Sequence, residues 1–139
     1  MIVEIAIVHT PIIANEALPP ALVGTVGAVA TFAGAVRDKE TGQPISSLDY
    51  EAYQPMAEQT MRTIVEDLGQ RHPCAFVRII HRIGTIPVGQ NAIYILTAAV
   101  HRAEALAMIG AFLDRLKQDV PIWKVRALDP TGQPIPPTP

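Results

Sequence analysis

The stretch NAIYILTAAVHRAEALAMIGAFLDRLKQDVPIWK, residues 91–124, carries the pattern that decides the fold class. Its first part, 91–100, is mostly apolar and predicts a strand. From about residue 102 to 117 the apolar residues recur at helical spacing and form one arc, made by Leu106, Ile109, Phe112, Leu113 and Leu116. A bend follows, in which Pro121 and Trp123, the only tryptophan, lie between Lys117 and Lys124. The stretch therefore predicts a strand, a helix and an apolar bend bracketed by two lysines.

Outside this stretch the chain has further strand patterns and one more helix. Four segments have apolar and β-branched residues and predict strands, over 2–8, 25–36, 48–53 and 75–84. Residues 56–68 change to a helical period, and Gly69 ends that helix. The remaining segments predict a Pro-containing connector with room for one short helix, a polar and mobile loop, and a turn, at 12–24, 38–47 and 85–90.

The order of these elements predicts the fold class. Strands outnumber helices, and two strand pairs look hairpin-connected, which favours an α+β fold on a mainly antiparallel sheet in a single domain. We assign residues 1–128 to that domain and residues 129–139 to a Pro-rich C-terminal tail. The last six residues, PIPPTP, are expected to be extended and loosely ordered.

Composition excludes several classes of function. A length of 139 residues fits one domain with a real core. The formal net charge is −2, which argues against a general nucleic-acid binder. The apolar N-terminus contains Glu4 and Pro11 but no basic region, so it indicates a first strand and not a signal peptide. No apolar run approaches membrane-spanning length, and we expect a cytoplasmic protein.

The cysteine and histidine content argues against disulfide and metal chemistry. Cys74 is the only cysteine, so no intrachain disulfide can form. It fits a small buried hydrophobe, and a persulfide-carrying or nucleophilic cysteine is the alternative, although no activating base lies nearby in the sequence. The four histidines show no close ligand spacing, so we expect no protein-bound metal.

Two groups of cationic residues lie at the ends of the second helix. Lys117 is at the border of the apolar arc, where a lysine stem packs while its head enters a cleft. The alternative is a C-terminal lysine that favours the helix dipole and pairs with Asp114. His101 and Arg102 stand where the helix begins, and free backbone N–H groups there favour an anion. An ordinary surface pair is the alternative for these two.

Other cations complete the set. His81–Arg82 lies within a strand pattern and is interpreted as structural. Arg37 opens the polar loop and means little alone. The sequence has no defensible Ser-His-Asp arrangement and no Walker-type phosphate loop. The residues alone therefore indicate a small anionic ligand, with lysine chemistry possible, bound by cations at element ends: Arg37, His101, Arg102, Lys117, Lys124 and Arg126.

Five ordered motifs resemble one known family. They are TFAGAVR, LDYEAYQPMA, IHRIGTIPVG, AAVHRAEA and DRLKQDVPIWK, at 31–37, 48–57, 80–89, 98–105 and 114–124. Their order and spacing resemble the large, catalytic subunits of molybdopterin synthase, the MoaE-type family, over residues 2 to 128. The resemblance implies an α+β fold whose antiparallel sheet is flanked by helices.

The resemblance also implies an activity and its partners. Members transfer sulfur from the C-terminal thiocarboxylate of a small ubiquitin-like carrier, which ends in Gly-Gly, to cyclic pyranopterin monophosphate. The product is the dithiolene of molybdopterin, in molybdenum cofactor biosynthesis. The large subunit forms a homodimer, and a carrier binds at each end to give a heterotetramer. No cofactor is expected, and the sulfur arrives on the carrier, so no cysteine is required.

Site residues follow from the same resemblance. Lys117 and Lys124 match the catalytic lysines, and a rigid bend would hold them against the anionic thiocarboxylate and phosphate. The expected substrate-binding residues are these two lysines together with Ala35, Val36, Arg37, His101, Arg102, Val125 and Arg126.

Three positions depart from the family pattern. Arg126 stands where an acidic residue is usual, which adds a cation and removes a possible partner for Lys124. Gln90 replaces the acid of a glycine-acid pair, and Leu106 stands where an aromatic is common.

Helix length adds a geometric constraint. Arg102 and Lys117 are about 22 Å apart along one helix, too far for a pterin monophosphate to touch both. The resemblance nevertheless places both groups of residues at the same kind of pocket. It therefore implies a pocket built across a two-fold dimer, with His101 and Arg102 from one subunit and the lysines from the other.

Two rival functions remain at this level. One is a non-catalytic partner-binding module of the same fold, against which both lysines argue. The other is a small-ligand or RNA-binding protein, although aromatic residues make up only 5% of the chain.

Overall fold

A computed structural model of the chain describes residues 1–135 and shows two α-helices among short and long strands. The strands are β1 Ile2–Val8, β2 Ala28–Ala35, β3 Lys39–Glu40, β4 Gln43–Pro44, β5 Ser47–Ala52, β6 Phe76–Arg82, β7 Gly84–Pro87, β8 Asn91–Ala99, β9 Ile122–Leu128 and β10 Pro134–Ile135. The helices are α1 Gln54–Leu68 and α2 Arg102–Asp119, and a single 3-10 turn covers Pro20–Leu22.

The first sheet has four strands in the order β1-β6-β8-β2. Strand β1 runs parallel to β6, whereas β6 and β2 both run antiparallel to β8. Both faces of β8 are covered, by the two helices on one side and by apolar residues of the 12–26 connector on the other. Its near-continuous apolar sequence is therefore explained by burial on two faces.

The second sheet is antiparallel throughout and has the order β10-β9-β5-β7. Strands β3 and β4 form a separate two-stranded hairpin within the polar loop. Its turn holds Thr41 and Gly42 at positive φ, as a tight hairpin turn requires. The predicted α+β fold on mainly antiparallel strands is confirmed, and the polar loop contains this hairpin.

Helix α1 follows the predicted pattern, and α2 departs from it at one residue. The predicted face of α1 is buried, at Ala57, Met61, Ile64, Val65 and Leu68. In α2 the buried residues are Ala105, Met108, Ile109 and Phe112. Leu106 is 60% exposed, so its place in the apolar arc was wrong. It lies one residue, or about 100°, beyond Ala105 on the helix surface.

The predicted Pro-Trp bend is shorter than the sequence indicated. Helix α2 continues to Asp119, and the bend is confined to residues 120–121. Trp123 and Lys124 lie within strand β9, because 122–128 pairs with β5. A strand, and not a bend, therefore holds the second lysine.

The chain remains ordered beyond Leu128. Pro134 and Ile135 pair with Leu128 and Ala127, so these two tail residues form a strand. The rest of the predicted loose tail, 136–139, lies outside the described residues. Within residues 1–135, neither helix is both long and apolar enough to cross a bilayer.

Gly27 and Gly110 provide a paired test of the packing. A Cβ added to Gly27 would lie 2.6 Å from the Val100 carbonyl oxygen. A Cβ added to Gly110 would have none of the surrounding heavy atoms of the described residues within 4 Å. Gly27→Ala should lower the free energy of unfolding by about 2 kcal/mol, because backbone must move. Gly110→Ala should raise it by about 1 kcal/mol through helix propensity. Urea unfolding measures both, and equal effects would contradict the described packing.

Candidate functional site

A cavity of about 680 Å³ opens where the two sheets meet the C-terminal half of α2. Its walls come from β2 and the segment after it, from β5, β6 and β8, and from α2 and β9. The lining residues include Phe32, Tyr50, His81, Ile93, Leu113, Leu116, Ile122 and Trp123, which make most of the wall apolar. Four cations also line it, Arg37, Lys39, Lys117 and Lys124, with one carboxylate, Glu40.

Five of the predicted site residues meet in this cavity. Ala35, Val36 and Arg37 lie at the end of β2, where the chain leaves the first sheet. Lys117 lies in the last turn of α2, and Lys124 lies on β9. The chain turns back after α2, so the two lysines line the same space from a helix end and from the strand that follows.

A β-bulge arranges the residues around Lys124. In the pairing of β5 with β9, Asp49 is opposite Arg126 and Tyr50 is opposite Lys124, so Val125 is an extra residue. A bulge re-aims the side chains next to it. Lys124 lies next to the bulge and lines the cavity together with Trp123.

Lys124 has an acidic partner that the sequence did not reveal. Its Nζ lies 3.3 Å from Oε2 of Glu40, whose side chain is only 11% exposed. Arg126, which the family pattern would replace with an acid, instead donates from Nε to Oδ2 of Asp49 at 2.6 Å. The acid opposite Lys124 thus comes from the β3–β4 hairpin and not from β9.

The other predicted residues lie outside this cavity of the single chain. Val125 and Arg126 are next to it but do not line it, and Arg126 is half exposed. His101 and Arg102 are exposed at the N-terminus of α2, about 22 Å along the helix from Lys117. One chain therefore does not bring this pair to the lysines.

Two neighbouring rings form a wall of the cavity that sequence reasoning missed. Tyr50 and His81 meet edge to face, with ring centroids 5.7 Å apart. Burial lowers the pKa of His81, an effect opposed by its hydrogen bond with the Arg82 carbonyl. Burial, and then the charge of Glu40, raises the pKa of Tyr50. At neutral pH the wall therefore presents an uncharged imidazole and a protonated phenol.

The sequence interpretation of His81–Arg82 as a structural pair agrees with the contacts of Arg82. That side chain is buried and donates to Oε1 of Gln90 and to the Thr85 carbonyl. Gln90 stands where the family pattern has an acidic residue. It thus accepts a hydrogen bond from a buried cation through a neutral amide. His81 differs, because its ring lines the cavity. No local sequence signal separates the two residues.

Cys74 lies apart from the cavity. Burial, with a smaller contribution from Glu104, raises the pKa of its thiol to about 11. The thiol therefore stays protonated at neutral pH, which agrees with a small buried hydrophobe. Within residues 1–135, no three His, Cys, Asp or Glu side chains group in a way that would hold a metal ion.

Comparison with known families and relatives gives one consistent result. The model of the MoaE protein family matches residues 7–119. The molybdopterin synthase catalytic subunit of Homo sapiens is 41% identical over 98 residues, which are 70% of this chain and 52% of that protein. The subunit of Oryza sativa subsp. japonica is 37% identical over 103 residues, 74% and 53% of the two chains. The match thus spans about half the length of these curated relatives.

Solved structures agree with this result. The molybdopterin synthase structure from Staphylococcus aureus superposes with a TM-score of 0.76 at 31% identity, covering 91% of each chain. The MoaE protein from Burkholderia ambifaria gives 0.74 at 28% identity, covering 99% of this chain and 93% of the other. The fold is therefore the one that these solved structures share. The chain belongs to the MoaE protein family, as its five motifs predicted.

The Glu40–Lys124 pair predicts how the pocket binds a small anion. Glu40→Gln removes the one carboxylate that lines the described cavity, so inorganic phosphate should bind about fivefold more tightly at low salt. Asp49→Asn is the matched control, because Asp49 pairs with Arg126 outside the lining. Calorimetric titration measures both affinities. An equal gain in both variants would mean that overall charge, and not Glu40, controls anion binding.

Proposed function

We propose that this chain is the catalytic subunit of a molybdopterin synthase. It transfers sulfur from the C-terminal thiocarboxylate of a small ubiquitin-like carrier to cyclic pyranopterin monophosphate, in the cytoplasm, and forms the dithiolene of molybdopterin. The observation that carries the proposal is the convergence of Lys117, Lys124 and Arg37 on one cavity in a member of this family. A non-catalytic module of the same fold would need neither lysine there.

The charges of the cavity suit the two proposed substrates. Thiocarboxylate and phosphate are both anions, and ammonium groups preset in a partly dry pocket stabilise charge that develops during acyl-sulfur transfer. Arg37 offers a planar guanidinium for paired hydrogen bonds with phosphate oxygens. The volume of about 680 Å³ is in the usual range for small-molecule sites. The lysines are therefore proposed as catalytic residues and Arg37 as a phosphate ligand.

The apolar wall suits the carrier tail. Leu113, Leu116 and Trp123 line the cavity beside the lysines, and Trp123 is 46% exposed. A Gly-Gly terminus has no side chains beyond Cα, so it needs little room beside such residues when it leads a thiocarboxylate to the lysines. We propose this route for the carrier, with no further cofactor.

We also propose that a two-fold dimer completes each site. His101 and Arg102 lie about 22 Å from Lys117 along α2, so another copy of the chain must supply them if they bind the same substrate. A two-fold axis creates two equivalent composite sites. With one carrier at each end, the assembly is a heterotetramer. The assignments of Val125 and Arg126 as substrate-binding residues remain predictions.

Removing the lysines tests the activity. Lys117→Ala should lower product formation by at least about 100-fold, because preset positive charge is lost from the transition state. Lys124→Ala should also lower the rate strongly. Lys117→Ala should not unfold the chain, since an exposed lysine at a helix end contributes little to stability.

Gln118→Ala is the matched control, an exposed substitution one residue after Lys117. The assay follows molybdopterin formed from thiocarboxylated carrier and the cyclic precursor, with thermal unfolding measured in parallel. Near wild-type turnover by Lys117→Ala would refute the catalytic assignment.

Mixed dimers test the composite site. Arg102→Ala and Lys117→Ala subunits should each be inactive alone, but a mixed dimer keeps one intact site. In a random mixture about half the dimers are mixed, so activity should recover to about a quarter of wild type. Subunit exchange is followed with two affinity tags. Exchange without recovered activity would place the whole site within one chain.

A further inference from the structure

His81 is a buried titratable residue that the lysine chemistry does not use. It lies on β6, lines the cavity beside Tyr50, and is only 5% exposed. Burying an imidazole is costly unless its polar atoms have a purpose or a partner. His81 is one of the few buried polar residues, and its ring lies in the wall of the cavity that holds the two lysines.

The hydrogen bond at one ring nitrogen determines the state of the other. Nδ1 lies 2.8 Å from the Arg82 carbonyl oxygen. A carbonyl oxygen only accepts, so Nδ1 carries the hydrogen. In a neutral ring Nε2 then has a free lone pair, and within residues 1–135 no hydrogen bond reaches it. Burial lowers the pKa of His81, which keeps the ring neutral at pH 7. The cavity therefore holds a fixed, uncharged proton acceptor.

Atom balance in the proposed reaction requires such an acceptor. When sulfur leaves the carrier for the precursor, the acyl carbon of the carrier must take an oxygen from water to become a carboxylate. A bond forms from water oxygen to the acyl carbon and the acyl C–S bond breaks. The sulfur keeps the electron pair as a thiolate on the product. One water proton goes to a base, and the second dissociates from the new carboxylic acid.

The other ionisable groups in and around the cavity are less suited to this step. Lys39, Lys117, Lys124 and Arg37 line the cavity as basic side chains that donate hydrogen bonds, and Tyr50 is protonated because its pKa is raised. Arg82, on the strand of His81 itself, is a cation turned to Gln90. Glu40 is the rival base, but its carboxylate is occupied by Lys124.

We propose that His81, through Nε2, is the general base that activates the water which releases the carrier from the sulfurated substrate. The proposal rests on the function proposed above. It adds a third catalytic residue to the two lysines and assigns them different steps of the reaction. The lysines stabilise the anions while sulfur is transferred, and the imidazole takes the proton when the acyl C–S bond is hydrolysed.

His81→Asn separates catalysis from structure. The asparagine amide still donates to the Arg82 carbonyl, as Nδ1 does, but offers no base at the Nε2 position. In single turnover with thiocarboxylated carrier and cyclic precursor, carrier release should slow by about 100-fold. A thioester of carrier and substrate, in which sulfur bridges the two, should accumulate and be seen by mass spectrometry.

The pH profile gives a second readout that a structural role would not move. In the wild type, release should slow as pH falls through the lowered pKa of His81, because the imidazolium cannot accept a proton. His81→Asn should lack that acid limb. His81→Gln, which loses the Nδ1 donor position, provides a second variant if asparagine fails to fold.

The outcomes distinguish this inference from the proposed function. If the wild-type protein forms no molybdopterin from thiocarboxylated carrier and cyclic precursor, both the proposed function and the role of His81 are refuted. Active wild type, together with a folded His81→Asn that releases carrier at full rate and builds no thioester, would refute the role of His81 alone. Loss of the acid limb in Glu40→Gln but not in His81→Asn would assign the base to Glu40.

Discussion

The antiparallel pairing of β9 with β5 is the interaction on which the candidate site depends. It turns the chain back after α2, so that Lys124 faces the cavity reached by Lys117 at the helix end. Lys124 lies next to the bulge in that pairing, and Trp123 lines the same cavity. Without the strand pair, the two lysines would lie on a helix end and a loop with no fixed separation. The backbone hydrogen bonds of the sheet thus hold Lys124 at the cavity that Lys117 lines from the end of α2.

Charge compensation explains how such a cationic cavity stays folded. Lys124 is opposed by Glu40 and Arg126 by Asp49, each acid coming from another strand. Closely spaced cations destabilise a fold unless carboxylates or ligands offset them. The acid that the family pattern places at residue 126 is absent, yet Lys124 still has an acidic partner. The hairpin that opens after β2 therefore contributes to the electrostatics of the site as well as to its wall.

The cavity combines two electrostatic environments. Four cations line it, and Tyr50 with His81 forms an uncharged part of its wall. The two ends of α2 are also distinct, since Lys117 lies at one end and Arg102 at the other. A site that needs both ends is incomplete in a single chain. Dimerisation would therefore be part of the active site and not only a source of stability.

Local pattern alone determined the elements that have strong periodicity and the residues at their ends. The spacing of apolar residues predicted α1 and most of α2, and the five motifs predicted the family. Local pattern could not show that 122–128 is a strand, because a lone apolar segment forms one only when a partner strand is present. The same limit hid Glu40, Tyr50 and His81, which come from three separate strands. Their proximity arises from sheet pairing between distant segments, an interaction that tertiary structure alone decides.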